Sequence, residues 1–135
     1  MPPSNEPTKQ KSLQQVARDF GPYPADAYEF VQRGLSHTVQ KIHGTVVDPD
    51  ASRHVSGQQL CEGLRELALS QWGLLARTVL CRWSITSTVD FGRIVFALIN
   101  VGQMQKTEDD SLEDFRGVYD FKTAFESGYR IQMAS

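Results

Sequence analysis

The run Arg53-His54-Val55-Ser56-Gly57-Gln58-Gln59-Leu60 begins the stretch, residues 53–102, from which the fold is predicted. Ser56 and Gln59 have the spacing of a capping box, in which each side chain bonds to the other residue's backbone N–H at a helix start. Apolar residues then recur every three or four positions, as on one buried helix face: Leu60, Leu64, Leu67 and Ala68. We therefore predict a helix over about residues 57–70.

Two more helices are predicted within this stretch. After a break near Trp72 and Gly73, the buried face of the next helix is expected to consist of Leu75, Val79, Leu80 and Trp83. Ser87 and Asp90 form a second capping pair. The helix that follows ends at Gly102 and has the apolar stripe Phe91, Ile94, Val95, Leu98 and Ile99. Because this helix is apolar on more than one side, we expect it to lie centrally in the core.

The residues before Arg53 predict a tail and two helices. Residues 1–7 contain three prolines and no periodicity, so they are expected to form a disordered tail. A short helix over residues 8–20 should end where Gly21 and Pro22 interrupt the pattern. A longer helix from Ala25 has the apolar face Tyr28, Val31, Leu35, Val39 and Ile42. A loop over residues 43–51 follows, in which Thr45-Val46-Val47 could add a short edge strand.

The pattern changes after Gly102. Residues 108–114 are predicted to form an acidic turn, and bulky residues then alternate in Phe115-Arg116-Gly117-Val118-Tyr119-Asp120-Phe121, which is typical of a β-hairpin. A final helix from about Asp120 would bury Phe121, Ala124, Phe125 and Tyr129. The predicted fold class is mainly α (α+β): a single domain over residues 8–135, with five to six helices and a small β-hairpin after residue 102.

Composition and charge exclude several broad classes. Hydrophobic residues make up 40% and charged residues 22% of the chain, which is the usual globular balance. The chain has no apolar run of about eighteen residues and no apolar export segment at its N-terminus, so we expect a cytoplasmic protein without membrane contact. A net charge of −2 provides no global basic field for nucleic acid. Cys61 and Cys81 lie in apolar helical patterns and are expected to be reduced packing residues.

The charges are unevenly distributed along the chain. Five arginines and three acids lie between Arg53 and Arg93, whereas seven acids and two basic residues lie between Glu108 and Glu126. A mildly basic middle is therefore followed by an acidic C-terminal third. This layout indicates either internal neutralisation or a polarised binding surface.

Four motifs resemble a family of short uncharacterised proteins from planctomycete and verrucomicrobial bacteria. The motifs are His54-Val55-Ser56-Gly57-Gln58-Gln59-Leu60-Cys61-Glu62-Gly63-Leu64-Arg65, Gly73-Leu74-Leu75-Ala76-Arg77-Thr78-Val79-Leu80, Asp90-Phe91-Gly92 and Val118-Tyr119-Asp120-Phe121. The resemblance covers about residues 23–129. It implies no particular activity, because no biochemical role is attached to the family.

A weaker resemblance, over residues 25–126, is to the ATP-cone, a regulatory nucleotide-binding module. The order of helices, the Val-Ser helix start and the ending Phe115-Arg116-Gly117-Val118-Tyr119-Asp120-Phe121 are similar to that module. The basic strand with which an ATP-cone opens has no counterpart here. The resemblance implies an ATP-cone-like arrangement and nucleotide or phosphate as an alternative partner.

The start of the helix at Ser56 is the candidate anion-binding site. Arg53 and His54 precede it, and Ser56 and Gly57 form its first turn. Exposed N–H groups and the positive end of the helix dipole could hold a phosphate or carboxylate there. The plainer interpretation is a capping box that follows a loop arginine.

Metal and catalytic sites receive little support from the sequence. The spacing of His37, His43, His54, Cys61 and Cys81 matches no zinc pattern, so we predict no metal ligands. Ser56 near His54 is the only proximate pair for nucleophilic catalysis, and Ser56 is needed as a helix cap. We predict no catalytic residues and no cofactor.

Three helices and a hairpin also describe a winged helix, in which Arg65, Arg77, Arg82 and Arg93 would face nucleic acid. The helix that would enter the groove is the most apolar of the set, whereas a reading helix needs polar side chains that contact bases. We therefore rank nucleic acid below the other partners. Trp72 and Trp83 could mark a protein interface, although core packing is the plainer interpretation.

These observations favour a non-enzymatic binding module whose partner is another protein. An anion- or nucleotide-sensing domain, acting through residues 53–57, is the first alternative. A winged-helix-like nucleic-acid binder is the second.

Overall fold

The computed structural model describes residues 12–44, 54–106 and 110–127 as a mainly helical single domain. Its α-helices in chain order are α1 (Leu13–Asp19), α2 (Ala25–His43), α3 (Gly57–Trp72), α4 (Ala76–Arg82) and α5 (Thr88–Asn100). Shorter elements are the 3₁₀ helices Gly73–Leu75 and Leu112–Phe115 and the π-helical segment Thr123–Ser127. The predicted tail at residues 1–7 and the edge strand suggested at residues 45–47 lie outside the described residues.

Local capping determines where α1 and α3 begin. The Ser56 Oγ accepts a hydrogen bond from the Gln59 backbone N–H (3.1 Å), and Gln59 Oε1 accepts one from the Ser56 N–H (2.9 Å). Ser12 and Gln15 form the same reciprocal pair at the start of α1. This box places the start of α1 at Leu13 rather than at the predicted residue 8, because it satisfies the free N–H groups of a first turn.

The packing of α2 against α3 depends on two glycines. A Cβ built on Gly34 would lie 2.1 Å from Leu64 Cδ2, and one on Gly63 would lie 1.8 Å from Thr38 Oγ1. Leu64 and Thr38 are both almost completely buried, and the Thr38 hydroxyl donates to the Gly34 carbonyl at 2.7 Å. The two helices therefore interlock, with each glycine receiving a side chain from the other helix.

The Leu112–Phe115 turn is held against α3 and α5 by Phe115. A Cβ on Gly92 would lie 2.7 Å from the Phe115 ring, and one on Gly57 would lie 3.0 Å from it. Thr88 Oγ1 donates to the Phe115 carbonyl at 2.5 Å. Since α5 buries most of its length between these neighbours, the predicted central position of this helix is confirmed.

The predicted hairpin after residue 102 is not confirmed. Neither residues 102–106 nor residues 110–127 contain a strand. The alternating bulky residues instead enter the core from a 3₁₀ turn and the bend after it. Phe115 packs on the glycines of α3 and α5, the Tyr119 hydroxyl donates to the Cys61 carbonyl (2.7 Å), and the Phe121 ring lies 5.7 Å from that of Phe91. The alternation of bulky residues therefore marks the side chains that face the core. It does not indicate an extended backbone.

Three residues predicted to be buried are exposed. Leu75 is 63% exposed, Ile42 is 40% exposed, and Cys81 is also exposed, whereas Cys61 is buried as predicted. Gly73 ends α3 with a positive φ of 52°, and the 3₁₀ turn that follows changes the helical phase. As a result, α4 buries Ala76 and Leu80 and presents the face that contains Cys81 to the surface.

Both tryptophans lie beside α2. Trp72 and Trp83 are partly buried, and their ring centroids are 5.1 and 5.8 Å from that of Phe30. The two indoles meet edge to face at 5.4 Å, a geometry favoured by the charge distribution of aromatic rings. Both tryptophans therefore pack against the core, as the plainer interpretation of the sequence expected.

In the described ranges, no helix is both long and apolar enough to cross a membrane.

We expect Gly63→Ala to destabilise the fold. Alanine raises helix propensity by up to about 1 kcal/mol, but overpacking of a closed core costs about 1–3 kcal/mol, and the Thr38 hydroxyl occupies the space that the methyl group needs. Urea unfolding should therefore give a net loss of stability. Ser70→Ala, at an exposed position of the same helix, should shift stability by less than about 0.5 kcal/mol. A Gly63→Ala variant as stable as the wild type would contradict the interlocked contact.

Candidate functional site

The predicted anion site at the start of α3 is only partly described. His54, Ser56 and Gly57 are placed by the structure, and Arg53 lies outside the described residues. Ser56 is engaged with Gln59 in the capping box. Gly57 is buried, and a Cβ built on it would lie 2.9 Å from Asp114 Cβ. Two of the predicted site residues therefore contribute to the helix cap and to packing.

His54 connects the start of α3 to two other segments. Its Nε2 lies 3.2 Å from Asp110 Oδ1, and its carbonyl oxygen lies 2.6 Å from His43 Nε2, so that His43 donates to it. The Asp110 side chain is only 3% exposed. The start of α3 thus already faces a buried carboxylate, and a phosphate would have to approach beside this negative charge. Anion binding at Arg53–Gly57 stays a prediction, and the geometry supports it weakly.

The histidines and cysteines do not assemble into a metal site. His37 lies 3.5 Å from Glu66 on the outer side of α2 and α3, away from the His43–His54 contact. Burial raises the pKa of the Cys61 thiol to about 12, which keeps it protonated and inert. Within residues 12–44, 54–106 and 110–127, no group of three or more His, Cys, Asp or Glu side chains could hold a metal ion.

Asp90 is the centre of a buried polar cluster. Its Oδ1 accepts from the Tyr23 hydroxyl (2.5 Å) and from Arg93 Nη1 (3.0 Å). Its Oδ2 accepts from the backbone N–H groups of Thr86 (2.9 Å) and Ser87 (3.2 Å). Asp90 is only 6% exposed, and the predicted Ser87–Asp90 pair therefore forms part of a wider network. The sequence did not predict that Tyr23 belongs to this network, because Tyr23 lies far from Asp90 along the chain.

The hydrogen bonds determine the charge state of this cluster. Burial by itself would raise the pKa of Asp90, but the bonds from Tyr23, Thr86 and Ser87 outweigh it and hold the pKa below its usual value. Burial and the bond to Asp90 together raise the pKa of Tyr23 to about 12. Asp90 is therefore ionised and fully used as an acceptor, and it ties the segment before α2 to the start of α5.

A face of exposed residues runs along the Gly73–Leu75 turn and α4. It lines an open groove of about 510 Å³ and consists of Leu74, Arg77, Thr78, Cys81 and Arg82. Leu74 is 51% exposed and the adjoining Leu75 is 63% exposed. We call these six residues the α4 face. The sequence did not predict it, because leucines at helical spacing normally indicate burial.

A smaller groove lies between α2 and α3 on another part of the surface. Its volume is about 280 Å³, and its lining includes Lys41, Ile42 and Glu62 beside the Thr38–Gly63 contact. Lys41 pairs with Glu66 on the same side. Both signs of charge are therefore present around this groove, in contrast to the α4 face.

Comparisons of the chain with protein-family models, with curated proteins and with solved structures give no match. The resemblances to the planctomycete and verrucomicrobial family and to the ATP-cone therefore stay predictions. Function is therefore inferred from the geometry of the described residues.

We expect Asp90→Asn to lower stability at neutral pH by about 1.5–3 kcal/mol, the range for hydrogen bonds to a charged group. The folded pKa of Asp90 is below its unfolded value of about 3.9. Its contribution is therefore complete above that pH and is lost as the pH falls through the folded pKa. Urea unfolding between pH 7 and about pH 2.5 should show the gap between wild type and variant closing below about pH 4.

Glu29→Gln is the matched control for this titration, because Glu29 is an exposed carboxyl on α2. Its stability should follow that of the wild type across the whole pH range. A gap between wild type and Asp90→Asn that stays constant down to the lowest pH would show that the Asp90 charge does not stabilise the fold.

Proposed function

We propose that this protein is a non-enzymatic interaction module that binds another protein through the α4 face. The observation that carries the proposal is the exposure of two adjacent leucines, Leu74 and Leu75, at 51% and 63%. Single exposed apolar residues are normal on a protein surface, but a contiguous apolar patch rimmed by polar side chains is typical of an interface. The α4 face has both the patch and the rim.

The energetics of burial support this proposal. Fully burying a large aliphatic side chain contributes about 1.5–3 kcal/mol, and Leu74 and Leu75, at 51% and 63% exposed, have half or more of that gain still available. Each lies on the short turn between α3 and α4, which is fixed at both ends by helices that pack into the core. A partner would thus meet a preformed surface, which lowers the ordering cost of binding.

The other clusters give less support to catalysis. Asp90 uses both carboxylate oxygens to accept hydrogen bonds inside the core, and the Ser56 hydroxyl accepts at the cap of α3. A general base or nucleophile must reach a substrate with a free lone pair. Nucleic-acid binding also receives little support. The α5 helix, which would have to enter the nucleic-acid groove, is buried among α2, α3 and the Leu112–Phe115 turn.

Removing the apolar part of the face tests the proposal. We expect Leu74→Ser/Leu75→Ser to keep the wild-type melting temperature and to lose the proteins that wild type retains in a cross-linking pull-down from lysate. Ile42→Ser removes another exposed aliphatic residue, on α2, and should retain them. Proteins retained equally by wild type, the double variant and Ile42→Ser would contradict a docking role for the α4 face.

Nucleotide binding at the start of α3 is tested separately. A ligand at 100 times its Kd stabilises a protein by about 2.7 kcal/mol, so about 10 mM ATP should reveal a Kd near 100 μM. Because Asp110 lies beside His54, we expect ATP and inorganic phosphate to leave the melting temperature unchanged relative to sodium chloride of equal ionic strength. A concentration-dependent rise that Arg53→Ala abolishes would establish the anion site instead.

A further inference from the structure

Resting on the proposed function, we infer that residues 128–135 fold back along the groove of the α4 face, from Leu74 as far as Cys81, until a partner displaces them. We call these residues the C-terminal segment. The occupant of the face in the free protein is therefore part of the same chain, and the partner competes with it. Three observations carry this inference: where the described chain ends, how far the C-terminal segment reaches and which side chains it contains.

The last described element, Thr123–Ser127, lies beside the α4 face. It contacts both α4 and the Gly73–Leu75 turn. The core fixes its position, because Phe125 is only 1% exposed and Arg65 Nε donates to the Ala124 carbonyl at 3.1 Å. The C-terminal segment therefore starts from a fixed point next to the turn that contains both exposed leucines.

The C-terminal segment is long enough to span the face. It contains eight residues, which reach up to about 26–29 Å when extended. The distance along the face from Leu74 to Arg82 is about 12 Å at the rise of a helix. Gly128 comes first in the segment, and its lack of a Cβ permits the change of direction that this path requires. The segment can therefore return to the leucines and follow the groove without any rearrangement of the helices.

Bulky and polar side chains alternate in the C-terminal segment. The bulky, largely apolar residues are Tyr129, Ile131 and Met133, and Arg130 and Gln132 lie between them. In an extended chain, successive side chains point to opposite sides. The three bulky side chains would then share one side and lie against the leucines and the groove, with Arg130 pointing away from the arginines of the α4 face. Apolar surface is thus matched with apolar surface, and no charge pairing is required.

The covalent connection favours this occupant over a free one. A short tether gives the segment an effective concentration on the order of 1 mM at the face. A ratio of about nine covered molecules to one open molecule then requires a Kd of only about 0.1 mM for the free segment. A partner would bind the covered population with an apparent affinity about tenfold below its intrinsic value. A weak contact is therefore enough to regulate the face.

Cys81 makes this cover measurable in the full chain. Its thiol is exposed and lines the groove, whereas the Cys61 thiol is buried. Alkylation with iodoacetamide, followed by mass spectrometry of the two cysteine peptides, reports separately on the face and on the core. We expect Tyr129→Ser/Ile131→Ser/Met133→Ser to accelerate Cys81 alkylation by about tenfold, because the open fraction rises from about one tenth to nearly one. Cys61 should stay unreactive, which shows that the variant is folded.

Two further variants test the specificity of the contact. Leu74→Ser/Leu75→Ser removes the other side of it and should accelerate Cys81 alkylation as much as the triple variant does. Arg130→Ser/Gln132→Ser is the matched control, because it changes the same segment without removing a bulky apolar side chain. Its rate should stay within about twofold of wild type, as is usual for surface substitutions of this kind. Wild-type alkylation in the triple variant, or equal acceleration in the control, would overturn the inference.

A synthetic peptide tests the same contact without the tether. Residues 128–135, added at about 1 mM to the triple variant, should restore most of the protection of Cys81, since this concentration matches that of the tethered segment. A peptide with serine at positions 129, 131 and 133 should leave Cys81 unprotected. Equal protection by both peptides would overturn the role of the three bulky side chains.

The outcomes separate this inference from the proposed function. If the triple variant accelerates Cys81 alkylation but Leu74→Ser/Leu75→Ser captures the same proteins as wild type, the C-terminal cover stands and the docking role fails. If the leucine variant loses those proteins while the triple variant leaves the alkylation rate unchanged, the docking face stands and the cover is overturned. A wild-type rate that falls as the protein concentration rises would overturn it in favour of a second copy, because a cover within one chain is independent of concentration.

Discussion

The contact between α2 and α3 is the constraint on which the rest of the structure depends. Gly34 and Gly63 let a leucine and a threonine side chain enter the space that a Cβ would fill, so the two longest helices lie unusually close. This approach buries the Thr38 hydroxyl, which is satisfied by the Gly34 carbonyl. Once α3 is fixed, the positions of the Gly73–Leu75 turn and of α4 follow, because they continue directly from its end.

Local interactions were the predictable part of the fold. The Ser56–Gln59 box, the Ser87–Asp90 pair and the apolar stripes of α2, α3 and α5 are encoded within a few residues of one another, so spacing alone places these helices. The predicted end of α2 and start of α3 agree with the structure for this reason. By contrast, the sequence predicts only that Gly34, in the middle of α2, weakens the helix. The need for a glycine there becomes clear from the contact with Leu64 of α3.

The errors arise where the determinant lies far away in the sequence. Phe115 and Tyr119 face the core because of glycines and carbonyls on α3 and α5, and no local rule distinguishes that arrangement from a hairpin. The error at Leu75 is different, because its cause is local: the 3₁₀ turn Gly73–Leu75 changes the helical phase and exposes a leucine that was predicted to be buried. The candidate binding surface could not be predicted from the pattern, since an interface leucine and a core leucine have identical spacing.

The two tryptophans give this architecture an intrinsic optical reporter. The chain contains two of these residues, and both Trp72 and Trp83 belong to one aromatic cluster with Phe30. They bracket the turn and α4, one immediately before and one immediately after the α4 face. Indole emission depends on the polarity and packing around the ring, so unlabelled protein reports directly on the segment that carries the exposed leucines. Any event that reorients α4 against α2 is thereby visible in the native chain without a dye.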